Sequence, residues 1–325
     1  MNKLAKSVLG IAVLAAATCT VPAANAAGYP ERPITWVVPY PPGGTTDGVA
    51  RNIAQAMAKV MNASIVVENK AGAGGQIAMT AVARSAPDGY TLLVSDASLA
   101  TAPSLYKTMQ VDPLKDLSAV ALFVTVPHLL VTNPSLPVRS LADLVALTKK
   151  EPGKINFSSG GVGSPLHLAG EALRLQTGLQ WTHVPYKGAG PAILAAVSGE
   201  AQVATPSLPS ALPQVQAGKL RALAVTSPKR VPSLPDVPSV VELGYPQAAV
   251  FGWVGLHAPA GTPPEVLRAL QDAAAQALKD PALNQRLQAQ GADVTAQDAA
   301  QYGELVASEA ARWQQVVQAA GIQLE

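Results

Sequence analysis

Apolar, β-rich runs alternate with helical periodicities from Ile34 to the end of the chain. That alternation predicts an α/β fold, a largely parallel sheet flanked by helices. The run ITWVVP, residues 34 to 39, reads as the first strand, and behind it Ala50, Ile53, Ala54, Met57 and Met61 recur at the spacing of one helix face. SIVVE, 64 to 68, is the second strand; the glycine turn NKAGAGGQ and a helix through Arg84 follow. PDGY, 87 to 90, then turns the chain into a third strand, TLLVS, 91 to 95.

A second series begins after the apolar stretch from Ala119 to Val131. It contains a helix over 140 to 150, the strand KINFS at 154 to 158, the loop GGVGSP and a helix from Leu166 to Gln176. WTHVPY (181–186) and AQVAT (201–205) are strands around a helix from Pro191 to Ser198, and RALAV (221–225) closes the series. The proline-dense segment 227–239 has the composition of a linker, but its spaced valines and leucines place it against a surface. VFGWVGLHAP, 250 to 259, is a further strand, and three amphipathic helices finish the chain, the first opened by Pro263-Pro264-Glu265 where a helix tolerates proline. Both series open with strand, glycine turn and helix, without any internal sequence period.

The first residues change the picture of where such a protein acts. Lys3 and Lys6, an apolar run from Val8 to Ala17 and the small-residue exit Ala24-Asn25-Ala26 form a secretory signal peptide cut after Ala26. The run is about half of the roughly 20 residues that a membrane span needs. Cys19, the only cysteine, lies inside that leader, so the mature chain has no thiol, disulfide or cysteine metal ligand. A lipid anchor on Cys19 is disfavoured because Ala16-Ala17-Thr18 lacks the usual upstream leucine. Cleavage removes two of the 23 lysines and arginines and none of the 21 acids, which leaves a neutral surface. Neutrality argues against nucleic acid, which requires a basic stripe. A soluble extracytoplasmic protein remains.

The candidate chemistry sits in the glycine turns. Ligands of open α/β sheets collect at strand carboxyl ends, where helix N-termini point free N–H groups into a crevice. Pro39-Tyr40-Pro41-Pro42-Gly43-Gly44-Thr45-Thr46-Asp47 lies at such an end, its prolines fixing the loop and its glycines allowing close approach. Asp47 and Thr46 are equally candidates for helix N-caps. In the second turn Gly72 and Gly74 fit a dinucleotide motif, but Ile77 replaces its third glycine. In the third, Ser164 and His167 stand three apart, a spacing that would let a histidine approach a serine nucleophile. The G-x-S-x-G elbow is absent, however, so a secreted serine hydrolase using Ser164 and His167 is only a rival reading. His128, His183 and His257 have no paired carboxylate or cysteine partner, so neither a metal nor a cofactor is expected. Lys187 is a candidate to reach the crevice or a plain solvated lysine.

VPYPPGGTTD, VENKAGAGG, APDGYTLL, SSGGVGSPLHLAGE, HVPYKGAGPA, AGKLRALAVTSPKR, LPDVPSVVELG and EAARWQQVVQAAGI together resemble the Bug-type (TctC-like) periplasmic solute-binding proteins of tripartite tricarboxylate transporters. The resemblance runs in order along the whole mature chain. It implies a class II periplasmic binding protein: two α/β domains, two crossover segments near 127–133 and 247–252, and a ligand cleft between the domains. One domain would comprise residues 27–130 and 250–325, the other 131–249. The resemblance also implies that backbone amides and hydroxyls hold a ligand carboxylate. Carried over, the positions are Tyr40, Gly43, Gly44, Thr46, Ala73, Gly74, Asp96, Ala97 and Ser98 on one side, and Ser159, Gly163, Ser164, His167 and Thr205 on the other. Many relatives carry an aspartate just before Ser-Leu-Pro, where this chain has Gln202, Thr205 and Pro206, which weakens an amino-acid ligand. The expectation is a non-enzymatic periplasmic receptor, acting as a monomer, for a dicarboxylate, tricarboxylate or aromatic acid. Its partners would be transporter membrane subunits or, if the fold serves as a sensory module, a sensor kinase.

Overall fold

The computed structural model describes residues 28–322 and Leu324; the expected leader lies outside them. The chain builds β1 (Ile34–Val38), α1 (Thr45–Met61), β2 (Ile65–Asn69), a short 3-10 turn at Ala73–Gly75, α2 (Gln76–Ala83), β3 (Thr91–Asp96), α3 (Ser98–Leu105), α4 (Pro113–Asp116) and β4 (Leu117–Pro127). A second group follows: β5 (Leu129–Thr132), α5 (Leu141–Lys150), β6 (Asn156–Ser159), α6 (Pro165–Thr177), β7 (Thr182–Pro185), α7 (Ala189–Ser198), β8 (Val203–Ala204), α8 (Leu208–Gln216) and β9 (Arg221–Val225). It ends in β10 (Phe251–Pro259), α9 (Pro264–Ala277), α10 (Pro281–Ala289), β11 (Asp293–Gln297) and α11 (Ala299–Ala320).

Two sheets result, ordered β11-β4-β10-β3-β1-β2 and β7-β6-β8-β5-β9. Helices cover both faces of each, which is why the strands read as unbroken apolar runs. On β1, Ile34, Trp36 and Val38 face the core shared with α1, α9 and α10, while Val37 faces the core shared with α2, α3 and α11. Leu130 and the neighbouring Leu129 and Val131 divide the second sheet's two cores in the same way. In the second lobe Phe157 stacks on Trp181 at 4.6 Å, and the backbone of α6 presses against that ring: a Cβ on Gly170 would lie 2.1 Å from it. Only glycine permits that approach.

The sheets are mixed, where the sequence suggests largely parallel ones. β1 pairs in parallel with β2 and β3, but β10 lies antiparallel between β3 and β4. The reason is topological. A strand leaving one lobe and a strand returning to it run in opposite directions, and β4 and β10 are those strands, paired from Phe251 opposite Pro127 to Pro259 opposite Leu117. The apolar stretch 119–131 is thus two strands in different sheets, parted at His128. Segment 227–239 folds back on the second lobe: Val231 is buried and Ser239 bridges Val225. Among the described residues no helix is long and apolar enough to cross a membrane.

Candidate functional site

The first turn is fixed by a polar knot. Asp47 is not the N-cap of α1; that position is Gly44, in extended backbone with no side-chain cap, and Asp47 lies inside the first helical turn. There its buried carboxylate accepts from the Gly43 amide at 2.9 Å, from Arg51 Nε at 3.1 Å and from Asn69 Nδ2 at 2.8 Å. Asn69 also donates to the Tyr40 carbonyl at 2.9 Å, which ties the first turn to the base of the second. Burial opposes the charge on Asp47, but hydrogen bonds from Arg51, Gly43 and Asn69 outweigh it and hold the carboxyl below its ordinary range. Thr46 is no N-cap either; its hydroxyl donates to Asp96 at 3.4 Å.

Between the sheets lies a cavity of about 340 Å³. Its wall contains the starts of five helices: Gly44, Thr45 and Thr46 at α1, Ala97 at α3, Ser164 at α6, Gly188 and Ala189 at α7, and Ser207 at α8. The starts of α1, α7 and α8 have no side-chain cap, so their first N–H groups are left for another acceptor; Ser164 caps α6, accepting from the His167 amide at 3.3 Å, and at α3 the Ser98 amide donates to Asp96 at 3.0 Å. Each helix start carries a partial positive charge of about half a proton. Val126, His128, Gly252, Trp253 and Val254 complete the wall from the crossing strands. Burial pushes His128 down to about 4, so its ring is neutral at physiological pH. Two flanking hollows, each about 290 Å³, share wall residues with this cavity: one with Tyr40, Gly74, Ser98 and Gly163, the other with Gly43, Gly44 and Ser210. Gly74 is left-handed at φ +61, and a Cβ there would strike the Tyr106 hydroxyl at 2.4 Å.

Tyr40, Gly44, Thr46, Asp96, Ala97 and Ser164 therefore line the central cavity, and Gly43, Gly74, Ser98 and Gly163 line its flanks. Ala73, Ser159, His167 and Thr205 are on none of these walls; the last three spend their side chains on the framework behind. Thr205 Oγ1 donates to the Leu166 carbonyl, Ser159 Oγ lies 2.6 Å from His183 Nε2, and His167 Nδ1 accepts from the Gly163 amide at 3.0 Å. The rings of His167 and His183 stack 3.8 Å apart. Such a stack favours neutral rings, and burial followed by repulsion from His183 pushes His167 down to about 3. The hydrolase geometry is thus absent: His167 meets Ser164 through its main-chain N–H, while its Nδ1 is taken by Gly163. Lys187 is exposed and on none of these walls. Sequence reasoning missed Gly188, Ser207, Ser210 and His128. Gly188 opens α7, whose start the sequence reading sets two residues late at Pro191; Ser207 opens α8 and Ser210 lies in its first turn, a helix that Pro209 and Pro213 conceal; His128 becomes visible only once the crossing is known. Among the described residues no group of three or more metal-ligating side chains gathers.

The family described as tripartite tricarboxylate transporter family receptor (TctC) matches residues 49–322. The chain belongs to that family. BugT of Bordetella pertussis is 38% identical over 321 residues, which is 98% of this chain and 98% of that one. Among solved structures, the R. palustris protein Rpa4515 with adipate is 35% identical with a TM-score of 0.83, over 91% of this chain and 100% of that one. MatC from Rhodopseudomonas palustris with bound malate is 35% identical with a TM-score of 0.79, over 89% of this chain and 100% of that one. The receptor has the two-domain α/β fold of a periplasmic binding protein, and its family is one of periplasmic binding receptors.

Proposed function

We propose that this receptor captures a small carboxylate between its two lobes and presents the closed form to the membrane subunits of a tripartite-type transporter. The single observation that carries the reading is the convergence of five helix N-termini, from both sheets, on one cavity without a lysine or arginine in its wall. Uncapped N–H groups and aligned dipoles replace water around an anion at no cost of burying a cation. The adipate and malate complexes of the two R. palustris relatives support a carboxylate guest.

In this reading residues 27–130 with 250–325 form one lobe and 131–249 the other. They move about the crossing, where three segments are laced together. Thr226 Oγ1 accepts from the His128 amide at 3.0 Å, the Thr226 amide donates to the His128 carbonyl at 2.9 Å, and the Val250 amide donates to the Thr226 carbonyl at 3.0 Å. Only a guest that touches both lobes shifts the population toward closure, because only differential affinity moves such an equilibrium. Tyr40, Gly44, Thr46 and Ala97 supply one half of the contact and Ser164, Gly188 and Ser207 the other. The sequence ranks di- and tricarboxylates and aromatic acids above amino acids, since residues 202–206 offer no acid to an ammonium group.

The test is mass spectrometry of the receptor recovered from a periplasm under native conditions, then denatured to release its guest. One organic acid at near-equimolar amount is the expected result. A neutral or basic compound lacking a carboxylate would overturn the proposal.

A further inference from the structure

A wall of helix N-termini favours negative charge, yet the only charged side chain lining the central cavity is an acid, Asp96. It ends β3, is 8% exposed, and takes part in none of the ion pairs among the described residues. Its two oxygens are used very unequally. Oδ1 accepts from the Ser98 amide at 3.0 Å, the Ser98 hydroxyl at 2.6 Å and the Tyr40 hydroxyl at 3.2 Å, while Oδ2 receives only the Thr46 hydroxyl at 3.4 Å.

Securing the start of α3 needs one oxygen and no charge; an asparagine would secure it equally well. The second oxygen has only the long Thr46 contact and the charge has only the dipole of α3, and burial makes both costly there. Burial raises the Asp96 pKa against the hydrogen bonds from Ser98, Tyr40 and Thr46 that favour the ionised form, and no side-chain cation offsets it. Thr46, the sole partner of Oδ2, lines the same cavity. A guest that brings its own donor to Oδ2 would supply the missing partner; a guest with only carboxylates would bring like charge against it.

Resting on the carboxylate-receptor reading, we infer that Asp96 selects the guest's second functional group: the receptor takes a carboxylate that also bears a hydrogen-bond donor, a hydroxyl or a protonated amine. It discriminates against acids of the same length without one. Asp96 thus supplies, from the first lobe, the acid that residues 202–206 do not, and amino acids rise in the ranking accordingly.

The experiment is calorimetric titration of the receptor and its Asp96→Asn variant at pH 7.5 with three matched series: succinate, malate and aspartate; glutarate, 2-hydroxyglutarate and glutamate; adipate, 2-hydroxyadipate and 2-aminoadipate. Within the series that fits the cavity, the native receptor should bind a donor-bearing acid at least about tenfold more tightly than the plain diacid, the scale of one charge-assisted hydrogen bond. In Asp96→Asn that preference should vanish and the plain diacid should gain affinity, because an amide can donate to an anion. The hydroxyl and amine arms show which donor is read, and thermal unfolding of the variant shows that the lobe still folds. Equal or tighter binding of the plain diacid by the native receptor, or a uniform loss across a series in Asp96→Asn, overturns the inference and leaves the carboxylate reading standing. Absence of binding across all three series overturns the inference, while the carboxylate reading, which also admits tricarboxylates and aromatic acids, is decided separately by the guest released from the native receptor.

Discussion

Replacing Gly44 with valine separates binding from folding. Gly44 precedes α1 at φ −78 and ψ 169, extended backbone that any residue adopts, and a Cβ placed there meets only the Pro41 carbonyl at 4.0 Å. On the folding side, a side chain tolerated without strain narrows the unfolded ensemble, which stabilises by about 0.4–1 kcal/mol. On the binding side, three added carbons enter the wall of a cavity of about 340 Å³ at the residue that opens α1. Forced overlap of this kind costs about 1–3 kcal/mol, or roughly 5- to 150-fold in Kd. The assay pairs thermal unfolding with calorimetric titration of whichever of succinate, malate, glutarate, adipate and benzoate binds the native receptor most tightly. The expected result is an unchanged or slightly raised Tm with at least fivefold weaker binding. Unchanged affinity would refute the placement of the guest at the start of α1, and a fall in Tm alone would show the turn to be scaffolding.

Three further outcomes follow from the same geometry. Gly170→Ala should destabilise the receptor by about 1–3 kcal/mol in urea titration, because the new methyl meets the buried Phe157 ring, itself stacked on Trp181; an unchanged midpoint would mean α6 can lift away freely. Of the four tryptophans only Trp253 lines the central cavity, so Trp253→Phe should abolish most of any fluorescence change on ligand addition, whereas a response that survives intact would place the guest elsewhere. Burial holds His128 at about 4 and His257 at about 3, so below the ordinary 6.5 the unfolded chain binds more protons than the folded one. Their contribution is flat above that value and lost as the pH falls toward 4, with a slope approaching about 1.4 kcal/mol per pH unit for each group. Urea midpoints measured from pH 8 to 4.5 check the sign, and a midpoint that rises on acidification over that range would contradict it.

The sequence revealed the scaffold wherever one periodicity governed an element. Ala50, Ile53, Ala54 and Met57 are all buried on one face of α1, and the runs at β1 and β3 are strands because both faces of their sheet are covered. Periodicity failed where proline or brevity concealed a helix: α3 contains Pro103, and α8 contains Pro209 near its start and Pro213 inside. That failure hid part of the cleft, since both helices open onto it. The change of sheets at His128 left no mark in composition, because Val126 and Leu129 on either side are buried alike. Asp47 shows a different limit. Its position suggested a cap, but its partners Asn69 and Arg51 belong to a knot that only tertiary structure assembles. Ser159, His167 and Thr205 sit in the strand-end and helix-start segments beside the cleft, but they line none of its walls, and their side chains turn to framework carbonyls, amides and imidazoles.

The central claim is that neutral dipoles from two lobes hold an acid, and the direct measurement is calorimetric titration with each acid beside its own uncharged amide. Saturable heat at one guest per chain from an acid, with at least a hundredfold weaker response to the corresponding diamide, is the predicted result. A diamide that binds as tightly as its acid would contradict the account.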